Sequence, residues 1–449
     1  MDRRPFGEYV EGLFRCAVAK KVGPTILPEH RVNHHYDAIV IGGGPAGSFA
    51  ALGLAQAGRS VLIVERRSPG TGKTCGHCLN ARALPLLRRA GLLARVQAIA
   101  EGETSRLILR SAGHGELAVP LGPSGGESRG LITPRHRLDE VLLQSAVSEG
   151  AELVRPATAS VWRVRDGEGI EVECRSSERS KCDSVRRVTA RMVIGADGLR
   201  SAVARALGFG GGRCRSRPQA QSAGLSFDVD DDDGSAHCRE RRDALDMALP
   251  RDAIAMHVNS RGYVGIVRTA GRRLHIGALL RQRVRNGNVS RAPGPASQID
   301  LFMESFPEMA RIMSPLLREA GIMHLHAAGP MPWRPRRLSN GVAALAGDAA
   351  GYEEPFTGEG LSWALESADL IVRIAISQGD AVWNRHAARQ YERAWRRSIG
   401  ARVRTCRLLA AVLRSRAGRA ALPTALAAVP FAACALAARI WTRAPEFEA

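Results

Sequence analysis

Asp37-Ala-Ile-Val-Ile41 is a short apolar run of the kind carried by a strand buried on both faces, and it ends in Gly42-Gly43-Gly44-Pro45-Ala46-Gly47. From Pro45 to Ala57 small apolar residues continue at helical spacing with proline in the first turn, which predicts a helix. Ser60 to Val64 then gives a second apolar run. Strand, helix and strand in this order predict a βαβ unit with parallel strands. Farther on, the pattern is helical from Asn80 to about Ala90, and Leu107 to Leu121 breaks into strand-like pieces. Leu138, Val141, Leu142 and Ala146 place a helix over Arg135 to Ser148, and Glu152 to Val154 returns to strand.

The alternating segments Val161-Trp-Arg-Val-Arg and Ile170-Glu-Val-Glu-Cys, joined through Asp166-Gly167-Glu168-Gly169, predict a hairpin. Arg191-Met-Val-Ile-Gly195 reads as another buried strand. Gly-punctuated, strand-like segments between Ser222 and Leu280 predict a second sheet, with the acidic run Asp228 to Asp233 as a solvated loop. From Leu361 onward the chain reads as helix. No repeat of solenoid type occurs. The fold class that follows is α/β with a mixed β-sheet domain and a helical C-terminal region; the glycine turns and the resemblance given below make its first part a single Rossmann-like FAD-binding domain and its sheet a substrate domain. Its expected boundaries are an extension over 1–35, the FAD-binding region over 36–220 interrupted near 100–130, a substrate-covering sheet over 221–330, a closing motif over 331–375 and helices over 376–449.

Composition changes this picture little. Hydrophobic residues make up 45% of the 449, enough for several packed units and a buried cofactor. The formal net charge of +20 invites a nucleic-acid partner. That partner is excluded by distribution, because the arginines are spread along the whole chain and interleaved with acidic runs. Codon bias, an anionic substrate or a membrane surface would each account for the excess. The 9 cysteines are irregularly spaced, which reads as reduced thiols in a cytoplasmic setting. Met1 to Pro24 lacks the apolar core of a secretory signal. Ala420 to Ala438 carries no charge and is flanked by Arg416, Arg419, Arg439 and Arg443, so peripheral membrane contact through the C-terminus is one expectation; Pro423 and Pro430 argue against a span.

The chemistry lies in three glycine-bearing turns. In the first, Gly42 permits the tight turn, Gly44 lets a pyrophosphate approach the backbone beside Ala46, and Gly47 lets helix and strand pack closely. The second strand ends at Glu65, with Arg66 beside it, where a carboxylate can accept from both ribose hydroxyls. The second turn is Gly195-Ala196-Asp197-Gly198-Leu199-Arg200-Ser201. The third is Ala346-Gly347-Asp348-Ala349-Ala350-Gly351, followed by Pro355-Phe-Thr-Gly358-Glu-Gly360-Leu361. There Asp348 can bond ribityl hydroxyls, and a helix N-terminus would face the flavin pyrimidine and stabilise its reduced anion.

In this order and separation the turns resemble the flavoproteins that include p-hydroxybenzoate hydroxylase, ubiquinone-biosynthesis hydroxylases, flavin-dependent halogenases and geranylgeranyl reductases. The resemblance spans residues 36–375. It implies that Gly42, Gly44, Gly47 and Glu65 hold the ADP half of FAD, that Arg135 lies on the diphosphate side, and that Asp197 and Asp348 close over the cofactor. It also implies a single dinucleotide fold, with NAD(P)H docking transiently, since no second GxGxxG is present. The Thr357-Gly358-Glu359 turn and Lys73-Thr-Cys75-Gly76-His-Cys78 resemble the reductases, whereas the aromatic substrate motif of those reductases is not evident around Tyr263. The double-Trp signature of halogenases is absent.

Two activities stay open: oxygenation of an aromatic, quinone-like or polyketide-like ring, and hydride transfer to an unsaturated isoprenoid chain with a proton from a nearby acid. A non-redox member of the fold that binds prenyl groups or proteins is the alternative. Cys75 is the one candidate catalytic residue. Cys75 and Cys78 read equally as ordinary loop thiols, and no second CxxC completes a zinc site. His324 and His326 alternate on a strand with no evident partner carboxylate, so they read as structural; so do Tyr263 and Trp333. No metal site is expected.

Overall fold

The structure is a computed structural model that describes residues 35–111, 116–121, 129–162, 169–176, 185–210, 220–230, 249–269, 273–283, 295–307, 309, 323–331, 333–353, 358–421 and 441. The N-terminal extension, Pro355-Phe-Thr357 and most of the apolar run Ala420 to Ala438 lie outside them. The chain opens as its hydrophobic pattern requires: β1 (His35–Ile41), α1 (Pro45–Gln56) and β2 (Val61–Val64). β3 (Cys78–Leu79), α2 (Ala83–Arg89), α3 (Leu93–Ala98), β4 (Gly102–Thr104), β5 (Arg106–Ser111), β6 (Glu116–Pro120) and β7 (Gly130–Ile132) follow. Next come α4 (Arg135–Ser148), β8 (Glu152–Val154), β9 (Ala157–Trp162), β10 (Ile170–Ser176), β11 (Val185–Gly195) and α5 (Ala202–Ala206). The second half contains β12 (Ala220–Asp230), β13 (Ala253–Asn259), β14 (Gly262–Thr269), β15 (Arg273–Arg283), α6 (Pro295–Ser305), β16 (Met323–Met331), β17 (Ala343–Leu345), α7 (Gly360–Ser377) and α8 (Arg385–Arg414).

The first sheet runs β8-β2-β1-β11-β10-β9, with β17 added parallel to β11. β1 pairs parallel to both β2 and β11, and β9 and β10 are the expected antiparallel hairpin. Ile39, Val40, Leu62, Ile63, Val193 and Ile194 are buried in its centre. Each such side chain contributes roughly 1.5–3 kcal/mol by leaving water, so this sheet is held by its own core. α1 packs against α4 and α7, and a Cβ on Gly53 would come within 2.8 Å of Val372, which is why a glycine stands in mid-helix there.

The second sheet runs β16-β12-β15-β14-β13-β5-β6. The segment that interrupts the dinucleotide fold near residues 100–130 supplies its far edge, through β5 paired parallel to β13. A three-stranded sheet, β3-β7-β4, joins the two layers. β12 shows the period of two that sets this layer's faces: Leu225, Phe227 and Val229 enter a core with Phe302 and Phe306, Ala223 is buried in phase with them, and Ser222, Gly224, Ser226 and Asp228 occupy the alternate positions. The acidic run is therefore not a solvated loop throughout. Asp228 lies on β12 and is buried, because its alternation places it with Ser226 rather than with Phe227; residues 231–233 lie outside the described residues.

α8 is capped by Asn384, whose side-chain oxygen accepts from the His386 and Ala387 N–H groups at 2.8 and 2.9 Å. It packs along α7 through Tyr391, Ile399 and Cys406. No helix among the described residues is long and apolar enough to cross a membrane.

Candidate cofactor and substrate cavity

The three glycine-bearing turns meet at one end of the first sheet. Gly42 has φ +108°, and a Cβ there would lie 2.3 Å from the Ala196 carbonyl oxygen and 3.1 Å from Asp197 Cα. A Cβ on Gly347 would lie 2.9 Å from Ala46 Cβ. Backbone bonds lock this approach: the Ala196 N–H donates to Ile41 O at 2.8 Å and the Ala346 N–H donates to Gly195 O at 2.9 Å. Lys73 then bridges the second and third turns, with Nζ 3.9 Å from an Asp348 oxygen and 3.3 Å from the Cβ position of Gly198.

Around this junction lies a cavity of about 1080 Å³, at the top of the roughly 300–1,000 Å³ range of small-molecule sites. One side is polar and glycine-rich, with Gly42 to Ala46, Glu65, Arg135, Asp197 and Asp348. The other is apolar, built by Leu107, Leu109, Val119, Ile254, Met256 and Trp441. Trp441 is buried, 3.5 Å from the Cβ position of Gly358 in the third turn.

The polar side fits FAD. No Cβ neighbour lies within 4 Å of Gly44, so its backbone faces open space. The N–H groups of the first turn of α1 have no intrahelical partners and no side-chain cap, which leaves them for a diphosphate. Glu65 accepts from the Gly43 N–H at 2.6 Å and the Arg67 N–H at 2.7 Å, holding its carboxylate beside the turn where a ribose would sit. Asp197 accepts from the Ala202 N–H at 2.6 Å through Oδ2, while its buried Oδ1 has no protein partner and needs a donor. Gly358 has φ +66°, Gly360 and the buried Leu361 begin α7, and the positive end of that helix is directed at the cavity.

Arg66 is exposed at the cavity margin, whereas Arg67 turns inward and donates to Gly72 O at 3.3 Å. Arg135 is buried and bidentate to Asp139, at 2.9 and 3.0 Å. Burial opposes its charge, but Asp139 and a hydrogen bond with the Cys75 side chain push its pKa up further than burial lowers it. Cys75 is half-buried on the cavity wall; burial raises the thiol of Cys78, and both are free. Tyr352 lines the same wall, its phenol kept protonated by burial, with the Asp348 charge acting in the same direction. Cys75 and the Tyr352 phenol thus share one cavity. Tyr352 had no sequence signal beyond its place after the third turn.

His324 does have a carboxylate: its Nδ1 lies 2.8 Å from Asp228, which also bonds His275 Nδ1 at 2.5 Å. The reading of His324 as unpartnered fails because that partner stands on a neighbouring strand 96 residues earlier in sequence. His77, Asp228 and His275 are close enough to suggest a metal site. The His77 and His275 rings, however, stack 3.4 Å apart at 13°, and both His275 nitrogens are engaged by Asp228 and by the Cys75 carbonyl. Stacked rings direct their lone pairs in parallel rather than at one ion.

The sequence pattern of a family described as an FAD binding domain matches residues 35–257. A digeranylgeranylglycerophospholipid reductase of Methanothermobacter thermautotrophicus is 28% identical over 81% of this chain and 84% of its own length. A menaquinone reductase of Mycobacterium tuberculosis is also 28% identical, over 81% of this chain and 82% of its own. Among solved structures, PqsL of Pseudomonas aeruginosa, described as a probable FAD-dependent monooxygenase, superposes with a TM-score of 0.64 at 18% identity over 87% of this chain and all of that one. The flavin-dependent brominase Bmp2 superposes with a TM-score of 0.68 at 18% identity, over 92% of this chain and 96% of that one. Those two likenesses establish the fold.

Proposed function

We propose that this chain, an FAD-dependent oxidoreductase of the superfamily that contains p-hydroxybenzoate hydroxylase and the geranylgeranyl reductases, saturates carbon–carbon double bonds in a long apolar, isoprenoid-like substrate. The observation that carries this reading is the apolar side of the cavity, walled by Leu107, Leu109, Val119, Ile254 and Met256, with Trp441 where that side meets the third glycine turn. A surface of this kind gains from burying hydrocarbon and offers little to orient a polar ring. The names of the relatives point the same way, because digeranylgeranylglycerophospholipid and menaquinone both carry long isoprenoid chains.

When bound, reduced FAD supplies a hydride equivalent, two electrons and one proton, to one carbon of the double bond. The chain's residues do the rest. Gly44, Glu65, Asp197 and Asp348 hold and orient the cofactor, the apolar wall excludes water, and Cys75 or Tyr352 gives a proton to the second carbon and regains it from solvent. NAD(P)H is the proposed electron donor, docking transiently. The substrate's length agrees with peripheral membrane contact, and Leu408 and Val412 are exposed on α8 near Arg404 and Arg416. Oxygenation is the competing activity, favoured by the likeness to monooxygenase folds.

Reduced enzyme turned over with a polyprenyl substrate under ¹⁸O₂ should yield product that has gained two hydrogens per saturated bond and no label. Product carrying ¹⁸O would replace this reading by hydroxylation.

A further inference from the structure

The loop that carries Cys75 does not rest on the dinucleotide fold alone. It is laid across the second sheet, where two strands leave room for it. The Cβ position of Gly277 on β15 is 3.4 Å from Gly76 Cα, and that of Gly224 on β12 is 3.3 Å from the Thr74 methyl. The Cys75 N–H donates to Ser226 Oγ at 3.3 Å. At the carbonyl of the same residue, His275 Nε2 lies 2.6 Å from the Cys75 oxygen. His275 and Asp228 are directly opposed across the β12–β15 ladder, and Ser226 is opposed to Gly277. One face of two neighbouring strands therefore supplies both the flat ground for the loop and the polar groups that hold it.

His275 is 3% exposed and fully engaged. Its two nitrogens face a carboxylate oxygen and a carbonyl oxygen, so both edges of the ring are held. Asp228, 8% exposed, is held ionised: burial opposes its charge, but the hydrogen bond and charge of His275, followed by those of His324, push its pKa below the usual carboxylate range. His77 stacks on His275 and is driven well below the ordinary histidine range by burial and then by His275, so it packs on the clamp as a neutral ring. The other groups facing this cluster are His136, stacked at 5.7 Å on His324, together with His326 and Arg135.

We propose that His275, oriented by Asp228, is a positioning residue that fixes Cys75 on the cavity wall through its backbone carbonyl. The clamp sets Cys75 on the wall it shares with Arg135, so the sheet that covers the substrate also sets the place of the candidate catalytic group. Any catalytic consequence rests on the reductase reading above; the positioning itself does not.

The test uses FAD-loaded H275L, H275Q and D228N proteins. Iodoacetamide labelling is read by peptide mass spectrometry at Cys75 and Cys78 separately, and flavin content, kcat and KM are measured alongside. H275L should label at Cys75 about tenfold faster than wild type, as expected when a buried hydrogen bond is lost, with Cys78 labelling and flavin content unchanged. H275Q, which can still donate an amide N–H to the carbonyl, should recover most of that protection. D228N, of the same shape as Asp228, should shift labelling in the same direction by less, and it stands in for H275L if the latter does not retain flavin. Unchanged Cys75 labelling in D228N, with or without a change in H275L, would overturn the proposal. Faster labelling with an unaltered kcat would uphold the clamp and remove Cys75 from the proposed reaction.

Discussion

Gly47→Ala is expected to give a colourless protein. The new Cβ would lie 1.8 Å from the Gly42 carbonyl oxygen and 3.1 Å from Ala196 Cβ, and the first of these is a backbone atom held in place. Gly42 cannot withdraw, because its N–H donates to Val64 O at 2.9 Å and its own Cβ position already abuts the Ala196 carbonyl at 2.3 Å. Relieving such an overlap costs on the order of 1–3 kcal/mol or more and moves the turn that faces the diphosphate. FAD affinity should therefore fall by about 100-fold or more. Gly44→Ala separates folding from cofactor binding. Gly44 has φ −76° and open space around it, so alanine is tolerated by the protein, and only a ligand approaching the backbone there would meet the added methyl. That variant should melt at the wild-type temperature without FAD and still bind flavin poorly. The ratio of flavin to protein absorbance in purified material checks both.

The second large effect is on stability, and it comes from the residue between Gly358 and Gly360. Glu359 is 1% exposed and forms an ion pair with Arg402 of α8 at 3.1 Å, while the Trp363 indole N–H donates to it at 3.2 Å. Arg402, 5% exposed, also contacts Glu366, which Arg82 reaches at 3.2 Å. Arg402→Ala removes the cation 3.1 Å from the buried Glu359, and breaking a buried pair by deleting one partner costs about 3–5 kcal/mol. Replacing both partners, as in Arg402→Met with Glu359→Gln, should return most of that loss, since a buried pair stabilises little over an apolar isostere. Urea unfolding midpoints decide the matter. A loss below about 1 kcal/mol in Arg402→Ala would show that Glu359 does not depend on Arg402, since that is the size of an exposed pair. Because Glu359 starts α7, the same variant should also retain less FAD.

Local pattern made the dinucleotide half legible. The apolar run Ala38 to Ile41 can only be a buried strand, the glycines that follow have a geometric reason at Gly42 and Gly47, and the length of β2 fixes Glu65 beside the turn. Beyond Val64 alternation no longer says which side chain turns inward: Arg66 and Arg67 both line the cavity, and Arg67 is the less exposed.

Long-range pairing hid the rest. Nothing local reveals that β5 joins β13, nor that Glu359 meets Arg402. The histidine clamp was half visible. Ser222, Gly224, Ser226 and Asp228 alternate with Ala223, Leu225, Phe227 and Val229, a signal of a strand with one polar face, but the acidic residues that follow Asp228 made the end of that strand look like solvent. His324 sits at φ +50° beside an irregularity in the β12–β16 register, where spacing no longer predicts partners.

The central claim is that one cavity brings a bound flavin and an apolar chain together so that electrons pass between them. The most direct measurement is the visible spectrum of the FAD-loaded enzyme, bleached anaerobically with one equivalent of reductant and then mixed with a polyprenyl substrate. Return of the oxidised flavin band without oxygen is the predicted result. A bleached spectrum that persists until air is admitted, with the substrate recovered unchanged from the anaerobic phase, would contradict it.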